Sequence, residues 1–82
     1  MNISSVLVNV RSGLLRQVQD DLATLNGVEV HAATEEGRLI VTIEAGSDKD
    51  VANMFEVINH LPGVLSVSMV YHQYESDPDE EA

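Results

Sequence analysis

Hydrophobic residues along the first half of the chain switch between two spacings. Residues 3–10 alternate between apolar and polar side chains, which predicts a strand. Residues 14–25 carry their apolar side chains three and four positions apart, which predicts a helix with a single apolar stripe. Residues 28–33 and 39–45 return to alternation, with the turn signal Glu35-Glu36-Gly37 between them. The order predicted for this half is therefore strand, helix, strand, with a hairpin into a third strand.

The second half repeats the order of the first. Residues 51–61 again carry apolar side chains at helical spacing, Pro62-Gly63 ends that helix, and residues 64–73 predict a last strand. Offsetting the halves by 36 residues aligns Gly27 with Gly63 and the two apolar stripes with each other. The chain therefore contains two copies of a strand–helix–strand unit.

Two such units in tandem give the order βαββαβ, which is typical of the ferredoxin-like split βαβ fold of the α+β class. Right-handed crossovers then place both helices on one face of a four-stranded antiparallel sheet, with the first and third strands in the centre. We expect a single domain over residues 1–74 and an acidic, disordered tail over residues 75–82. Ser12 and Ser47 are the predicted N-caps of the two helices.

Alternation along the strands also predicts which side chains face away from the helices. On the last strand, Leu65, Met69 and Tyr71 are predicted to face the helices. The open face is predicted to combine aliphatic, imidazole and carboxylate side chains, of which the candidate binding residues are Leu7, Ile40, Val70, His72, Glu44 and Glu29. This face predicts a shallow apolar strip with an acidic rim.

Composition and charge remove several classes of function. Four Lys or Arg residues stand against fourteen Asp or Glu residues, a formal net charge of −10, which disfavours nucleic acid and anionic membranes and favours a cationic partner. The chain contains no cysteine, and its three histidines lack metal-ligand spacing, so we expect no metal and no cofactor. Phosphate-binding glycine loops and activated nucleophiles are also missing from the sequence, and we expect no enzymatic activity. Neither a secretory signal nor an apolar stretch of about 20 residues is found, so we expect a cytoplasmic protein without membrane insertion.

The last strand carries a specific resemblance. Residues 63–73 read GVLSVSMVYHQ and are followed by Glu75, a run that resembles the final strand of the NapD family. The first strand, which contains Ser5-Val6-Leu7-Val8, and the segment GRLIV at residues 37–41 agree with the same family, as does the acidic tail. The resemblance covers almost the whole chain from about Ile3.

NapD-like proteins are cytoplasmic assembly chaperones of the periplasmic nitrate reductase. The resemblance implies that this chain binds the twin-arginine signal peptide on the precursor of the catalytic subunit, and delays Tat export until the client's cofactors are inserted. A basic start followed by an apolar stretch complements an acidic-rimmed aliphatic strip. We therefore expect Leu7, Ile40 and Val70 to receive the apolar part, Glu29 and Glu44 to meet the arginines, and His72 to add a contact.

Other interpretations of the sequence stay open at this stage. A regulatory module of the ACT type has the same βαββαβ order and binds amino acids at dimer interfaces, and the turn Arg11-Ser12-Gly13 is compatible with it. A structural homodimer through the open faces is a third possibility, so the expected state is a monomer or a weak dimer. A bound peptide is able to adopt either a helix or an added strand on an open sheet.

Overall fold

The computed structural model describes residues 2–74, with side chains from residue 2 to residue 70. The elements follow one another as β1 (Asn2–Val10), α1 (Leu15–Ala23), β2 (Val28–Ala33), β3 (Arg38–Ala45), α2 (Asp48–Asn59) and β4 (Val64–Tyr74). This order and the single antiparallel sheet confirm the predicted βαββαβ fold. The acidic tail predicted for residues 75–82 lies outside the described residues.

The strands are arranged in the order β2-β3-β1-β4, so the first and third strands are central as predicted. β1 pairs antiparallel with β3 on one side and with β4 on the other. The β1–β3 register is unbroken from the pair Asn2–Ala45 to the pair Asn9–Arg38. Because neighbouring residues of an antiparallel ladder share a face, this register defines rows of side chains that cross the sheet.

The core lies between the helix-facing side of the sheet and the two helices. Along β1, buried positions alternate with half-buried ones, as the alternation of the sequence predicts. The buried apolar residues are Val6, Val8, Val10, Val18, Leu22, Leu39, Val41, Ile43, Val51 and Ile58. Since these residues come from β1, β3 and both helices, the helices lie on one face of the sheet, and no other element of residues 2–74 covers the opposite face.

The two predicted helix N-caps have different outcomes. The Ser47 Oγ accepts a hydrogen bond from the Asp50 backbone N–H at 3.1 Å, which confirms Ser47 as the N-cap of α2. The prediction for Ser12 is wrong, because Leu14 precedes α1 and no side chain caps that helix. A tight turn, in which the Leu14 N–H bonds to the Arg11 carbonyl at 3.0 Å, separates Ser12 from the helix start.

This difference predicts unequal effects of two serine-to-alanine substitutions. We expect S47A to lower the free energy of unfolding by about 1 kcal/mol, because the Asp50 N–H loses its acceptor. S12A should leave stability within about 0.5 kcal/mol of the original, as is usual for surface substitutions. Urea unfolding of both variants checks the assignment, which equal losses in the two variants would contradict.

Gly27 lies where α1 leads into β2 and where the backbone of β3 comes close. Its φ is +80°, and its carbonyl accepts the backbone N–H of Glu44 at 2.7 Å. A Cβ added at this position would overlap the Glu44 carbonyl oxygen. Both the left-handed backbone and the close approach of β3 therefore require glycine here.

Alanine at two glycines separates these two requirements. Gly13 has a similar φ of +87°, but an added Cβ there meets nothing within 4 Å. We expect G13A to cost about 1–2 kcal/mol of unfolding free energy from backbone strain alone. G27A should cost at least about 3 kcal/mol, since the backbone of β3 at Glu44 must also move away from residue 27. Urea unfolding midpoints compare the two variants, and equal losses would mean that the contact with Glu44 has no effect.

β4 does not keep the alternation that its sequence predicts. Its register with β1 shifts twice, once between the pairs of Asn9 and Val10 and once between the pairs of Ser5 and Val6. The first shift leaves Leu65 as an extra residue, and its side chain is 61% exposed. The prediction that Leu65 faces the helices is therefore wrong, and Val64 packs against the core instead.

The second shift changes the positions of Tyr71 and His72. The extra residue is Val70, after which Ser5 pairs with Tyr71 and Ser4 pairs with His72. The prediction paired Tyr71 with the helix-facing residues of β1 and His72 with the open-face residues. The register is the reverse of that prediction, because a bulge advances every later residue by one position.

Candidate functional site

The centre of the open sheet face is an aliphatic cross-strand pair. Leu7 in β1 lies directly opposite Ile40 in β3, and on its other side Leu7 lies opposite Ser68 in β4. Leu7 is half-buried, whereas the Ile40 side chain is 41% exposed. Two of the three predicted aliphatic residues are thus direct neighbours on an uncovered surface.

Ile3 adds a third aliphatic side chain to this face of β1 and was missed as a binding candidate from the sequence. It is half-buried, lies opposite Glu44 in β3, and is separated from Leu7 by one residue of the same face, Ser5. The alternation of residues 3–10 contained this information, since residues 3, 5, 7 and 9 share one side of the strand. The aliphatic part of the face therefore extends toward the acidic end of β3.

The two predicted carboxylates lie together at one end of the sheet. Glu29 in β2 pairs with Thr42 in β3, and Glu44 follows Thr42 by two residues, so the two glutamates are diagonal neighbours on the same face. Together with Gly27, Val28 and Thr42 they line a shallow recess of about 360 Å³. Because Gly27 has no side chain, the recess stays open beside Glu44.

Hydrogen bonds hold the polar side chains of this face in position. The His31 Nε2 lies 2.7 Å from the Thr42 Oγ1, which ties β2 to β3 next to Glu29. His31 is the extra residue of a register shift in β2, between the pairs of Val30 and Ala32. At the far end of the sheet, the Asn9 Nδ2 donates to the Ser66 Oγ at 2.7 Å. These bonds reduce the side-chain freedom that a bound partner would otherwise have to restrict.

Charge on the open face changes sign along β3. The residues that this strand presents in succession are Arg38, Ile40, Thr42 and Glu44, spaced about 7 Å apart. Arg38 lies opposite Asn9, at the end of the sheet away from the glutamates. A partner with one cationic and one apolar end therefore has a preferred direction on this surface, with its cations at Glu29 and Glu44.

The two candidate binding residues from β4, Val70 and His72, differ in their register with β1. Val70 is 68% exposed on the edge strand and is the extra residue between the pairs of Met69 and Tyr71, so its place in the aliphatic strip stays a prediction. His72 pairs with Ser4, a buried residue of β1, and not with a residue of the open face. The register therefore no longer supports His72 as part of the strip.

His60 lies at the C-terminal end of α2. It is the C-cap of α2, and its Nδ1 lies 2.7 Å from the Glu56 carbonyl oxygen, which also accepts the His60 backbone N–H at 3.2 Å. Across residues 2–74, no group of three or more His, Cys, Asp or Glu side chains has an arrangement that could hold a metal ion. Neither helix of this part of the chain has the length and hydropathy needed to cross a membrane.

Comparison with known proteins gives a consistent result across the length of the chain. The family model described as NapD protein matches residues 1–76. The Chaperone NapD of Escherichia coli K12 is 32% identical over 79 residues, which cover 95% of this chain and 91% of that protein. The Chaperone NapD of Shigella flexneri matches to the same extent.

Two solved structures share the fold. The solution structure of the E. coli Tat proofreading chaperone protein NapD superposes with a TM-score of 0.80 at 32% identity, covering 95% of this chain and 83% of that one. A crystal structure of a hypothetical protein from Pyrococcus horikoshii has a TM-score of 0.81 at 23% identity, with 93% of each chain covered. The second similarity concerns the fold alone. The relatives with an assigned role are chaperones and not enzymes.

Proposed function

Because the chain belongs to the NapD family of chaperones, we propose that it binds a twin-arginine signal peptide through its open sheet face. The client is the precursor of the periplasmic nitrate reductase catalytic subunit. The protein acts in the cytoplasm, and it delays Tat export until the client's cofactors have been inserted. The solved relative named as a Tat proofreading chaperone supports this role.

The observation that supports the proposal most strongly is the change from acidic to aliphatic side chains along the open face. A recess bordered by Glu29 and Glu44 is followed, about two residue spacings away, by the aliphatic pair Leu7 and Ile40. A twin-arginine signal has the matching order, with guanidinium groups ahead of an apolar stretch. Arginine binds carboxylates through paired N–H donors, and two neighbouring carboxylates suit two neighbouring arginines.

Binding of this kind explains how export would be delayed without any chemical step. A peptide held on the sheet has its arginines paired with glutamates and its apolar side chains covered, so the export machinery cannot contact them. The delay lasts as long as the bound fraction stays high, which depends only on affinity and concentration. The cofactors belong to the client, and the chaperone needs no cofactor of its own for this role.

The proposed contact residues follow from the positions that the open face gives them. Leu7, Ile40 and Val70 cover the apolar stretch, and Glu29 and Glu44 pair with the arginines. Ile3 joins the aliphatic group, since it lies on the same face of β1 as Leu7 and directly opposite Glu44. His72 leaves the group because it pairs with Ser4.

Calorimetric titration with a twin-arginine signal peptide of a nitrate reductase catalytic subunit tests the proposal. The control peptide has both arginines replaced by alanine. We expect binding to the first peptide with an affinity at least about tenfold above that for the control, since each charge-assisted contact contributes more than a neutral one. Equal affinities would mean that the chain does not recognise the arginines. No binding to either peptide would overturn the proposed function.

A further inference from the structure

A second apolar surface lies on the other side of β4, where α2 runs beside this edge of the sheet. It is a groove of about 490 Å³ whose floor is formed mainly by Val51, Ala52 and Phe55 of α2 and by Met69 of β4. Met69 is 49% exposed, and Phe55 is only partly covered by the core. The open face described above does not include any of these residues.

Carboxylates stand at the two ends of the groove. Asp48, in the first turn of α2, and Glu56 both line it, and they are two helical turns or about 12 Å apart. Asp48 accepts a hydrogen bond from the Asn2 Nδ2, and the Glu56 side chain is 68% exposed. An apolar floor between two negative charges favours an apolar segment with cationic flanks and repels an acidic one.

The groove and the open face meet at the edge of β4. Within residues 2–74, β4 pairs with β1 and has no strand on its other side. Consecutive residues of β4 contribute to the two surfaces, because Met69 lines the groove while Val70 is 68% exposed beside the open-face strip. A chain that lies across the open face therefore reaches the groove by crossing a single edge strand.

A peptide that runs across the strands, from Glu29 in β2 to Val70 in β4, has limited room on the open face for its apolar part. The four strands span about 14 Å from β2 to β4, since neighbouring strands lie about 4.8 Å apart. An apolar stretch of about 7–15 residues measures about 10–22 Å as a helix and more when extended. The acidic recess occupies the β2–β3 side of this span, so part of the apolar stretch extends beyond Val70.

We propose that the α2–β4 groove holds the end of the apolar stretch that lies farthest from the twin arginines, after the peptide crosses the edge of β4. The identity of this occupant rests on the proposed function. Met69 suits this role because the unbranched thioether side chain adapts to different apolar side chains. A cation that follows the apolar stretch would be attracted by the carboxylate of Asp48 or Glu56 at the end of the groove.

A matched pair of helix-surface substitutions tests the groove. Ala52 and Ala23 are both exposed helical alanines, but only Ala52 lines the groove. We expect A52K to weaken binding of the full-length signal peptide roughly tenfold. The lysine side chain occupies the groove, and its positive charge repels the cation that follows the apolar stretch of the peptide. A23K should bind as the original protein does. M69Q, which keeps the size of the side chain but makes it polar, should weaken binding by a similar factor.

A truncated peptide separates failure of this inference from failure of the proposed function. The peptide keeps both arginines and lacks the second half of the apolar stretch, so it should bind the original protein, A52K and M69Q equally. Full-length peptide that binds A52K and M69Q as tightly as the original protein would overturn the groove and leave the proposed function intact. No binding of either peptide to the original protein would overturn the proposed function itself.

Methyl NMR gives an independent readout that does not depend on a variant. Met69 lines the groove, whereas Met54 packs against the core and does not line it. We expect full-length peptide to shift the Met69 methyl signal much more than the Met54 signal, and truncated peptide to shift neither. A Met69 signal that changes with the concentration of the peptide-free protein would mean that a second copy occupies the groove, contrary to the proposal.

Discussion

Replacing both Glu29 and Glu44 with glutamine should weaken binding of the twin-arginine signal peptide by about 10- to 100-fold. The two side chains are exposed and face one recess, and within residues 2–70 neither forms an ion pair that two guanidinium groups would first have to break. Glutamine keeps the size and the hydrogen-bonding capacity, and it removes the charge that strengthens each contact. Titration calorimetry at two salt concentrations measures the loss and its salt dependence.

The control for this double variant is already present in the sequence. Glu35 and Glu36 are exposed in the β2–β3 hairpin, at the other end of the same strands, and E35Q/E36Q removes the same charge. This variant should change affinity less than about threefold, since long-range attraction is largely screened at physiological salt. Equal losses in the two double variants would reduce the effect to net charge and contradict a specific acidic recess.

Lysine at Ile40 should weaken binding of the same peptide by about 50-fold or more. Ile40 is 41% exposed at the centre of the open face and lies directly opposite Leu7. The substitution removes apolar area that the peptide would cover, and it places a cation against an apolar segment. Because the position is exposed, we expect I40K to fold, which circular dichroism and the urea midpoint verify.

Val57 offers a matched control for Ile40. It is an exposed aliphatic residue of α2 with a similar exposed fraction of 45%, and it lies outside both the open face and the α2–β4 groove. V57K should therefore leave peptide affinity within about twofold of the original. If I40K and V57K have the same affinity, the peptide does not lie on the open face.

The sequence was sufficient for the central strands because their burial is uniform along their length. Val6, Val8 and Val10 in β1 are buried as alternation predicts, and Leu39 and Val41 in β3 are too. Each of these strands has neighbours on both sides and one apolar face, so a one-residue slip would expose the whole apolar set. Pairing and patterning then require the same register.

The edge strands could not be predicted in the same way. The extra residues His31, Leu65 and Val70 interrupt the alternation of β2 and β4, and none of them is a glycine or proline that would indicate a bulge. A bulge depends on how two distant segments pair, which a local pattern does not contain. The prediction for Leu65 failed for this reason, and the observed register of Tyr71 and His72 also differs from the predicted one.

Part of the candidate site could be predicted from the sequence because it lies on strands with regular alternation. Leu7, Ile40, Glu29 and Glu44 lie on regular stretches of strand, and the structure places them on one face as expected. The α2–β4 groove was not predicted, because it forms where Phe55 and Met69 meet across two elements that are separate in sequence. The strand pattern alone assigns Met69 to the helix-facing side, and the helical stripe alone does not indicate that Phe55 lies beside it.

Isoleucine methyl NMR tests most directly whether the signal peptide binds the open sheet face. The chain has four isoleucines, of which Ile3 and Ile40 lie on the open face while Ile43 and Ile58 are buried in the core. Addition of the twin-arginine signal peptide should shift the Ile3 and Ile40 methyl signals and leave the Ile43 and Ile58 signals nearly unchanged. Bound peptide with unshifted Ile3 and Ile40 signals would contradict the account.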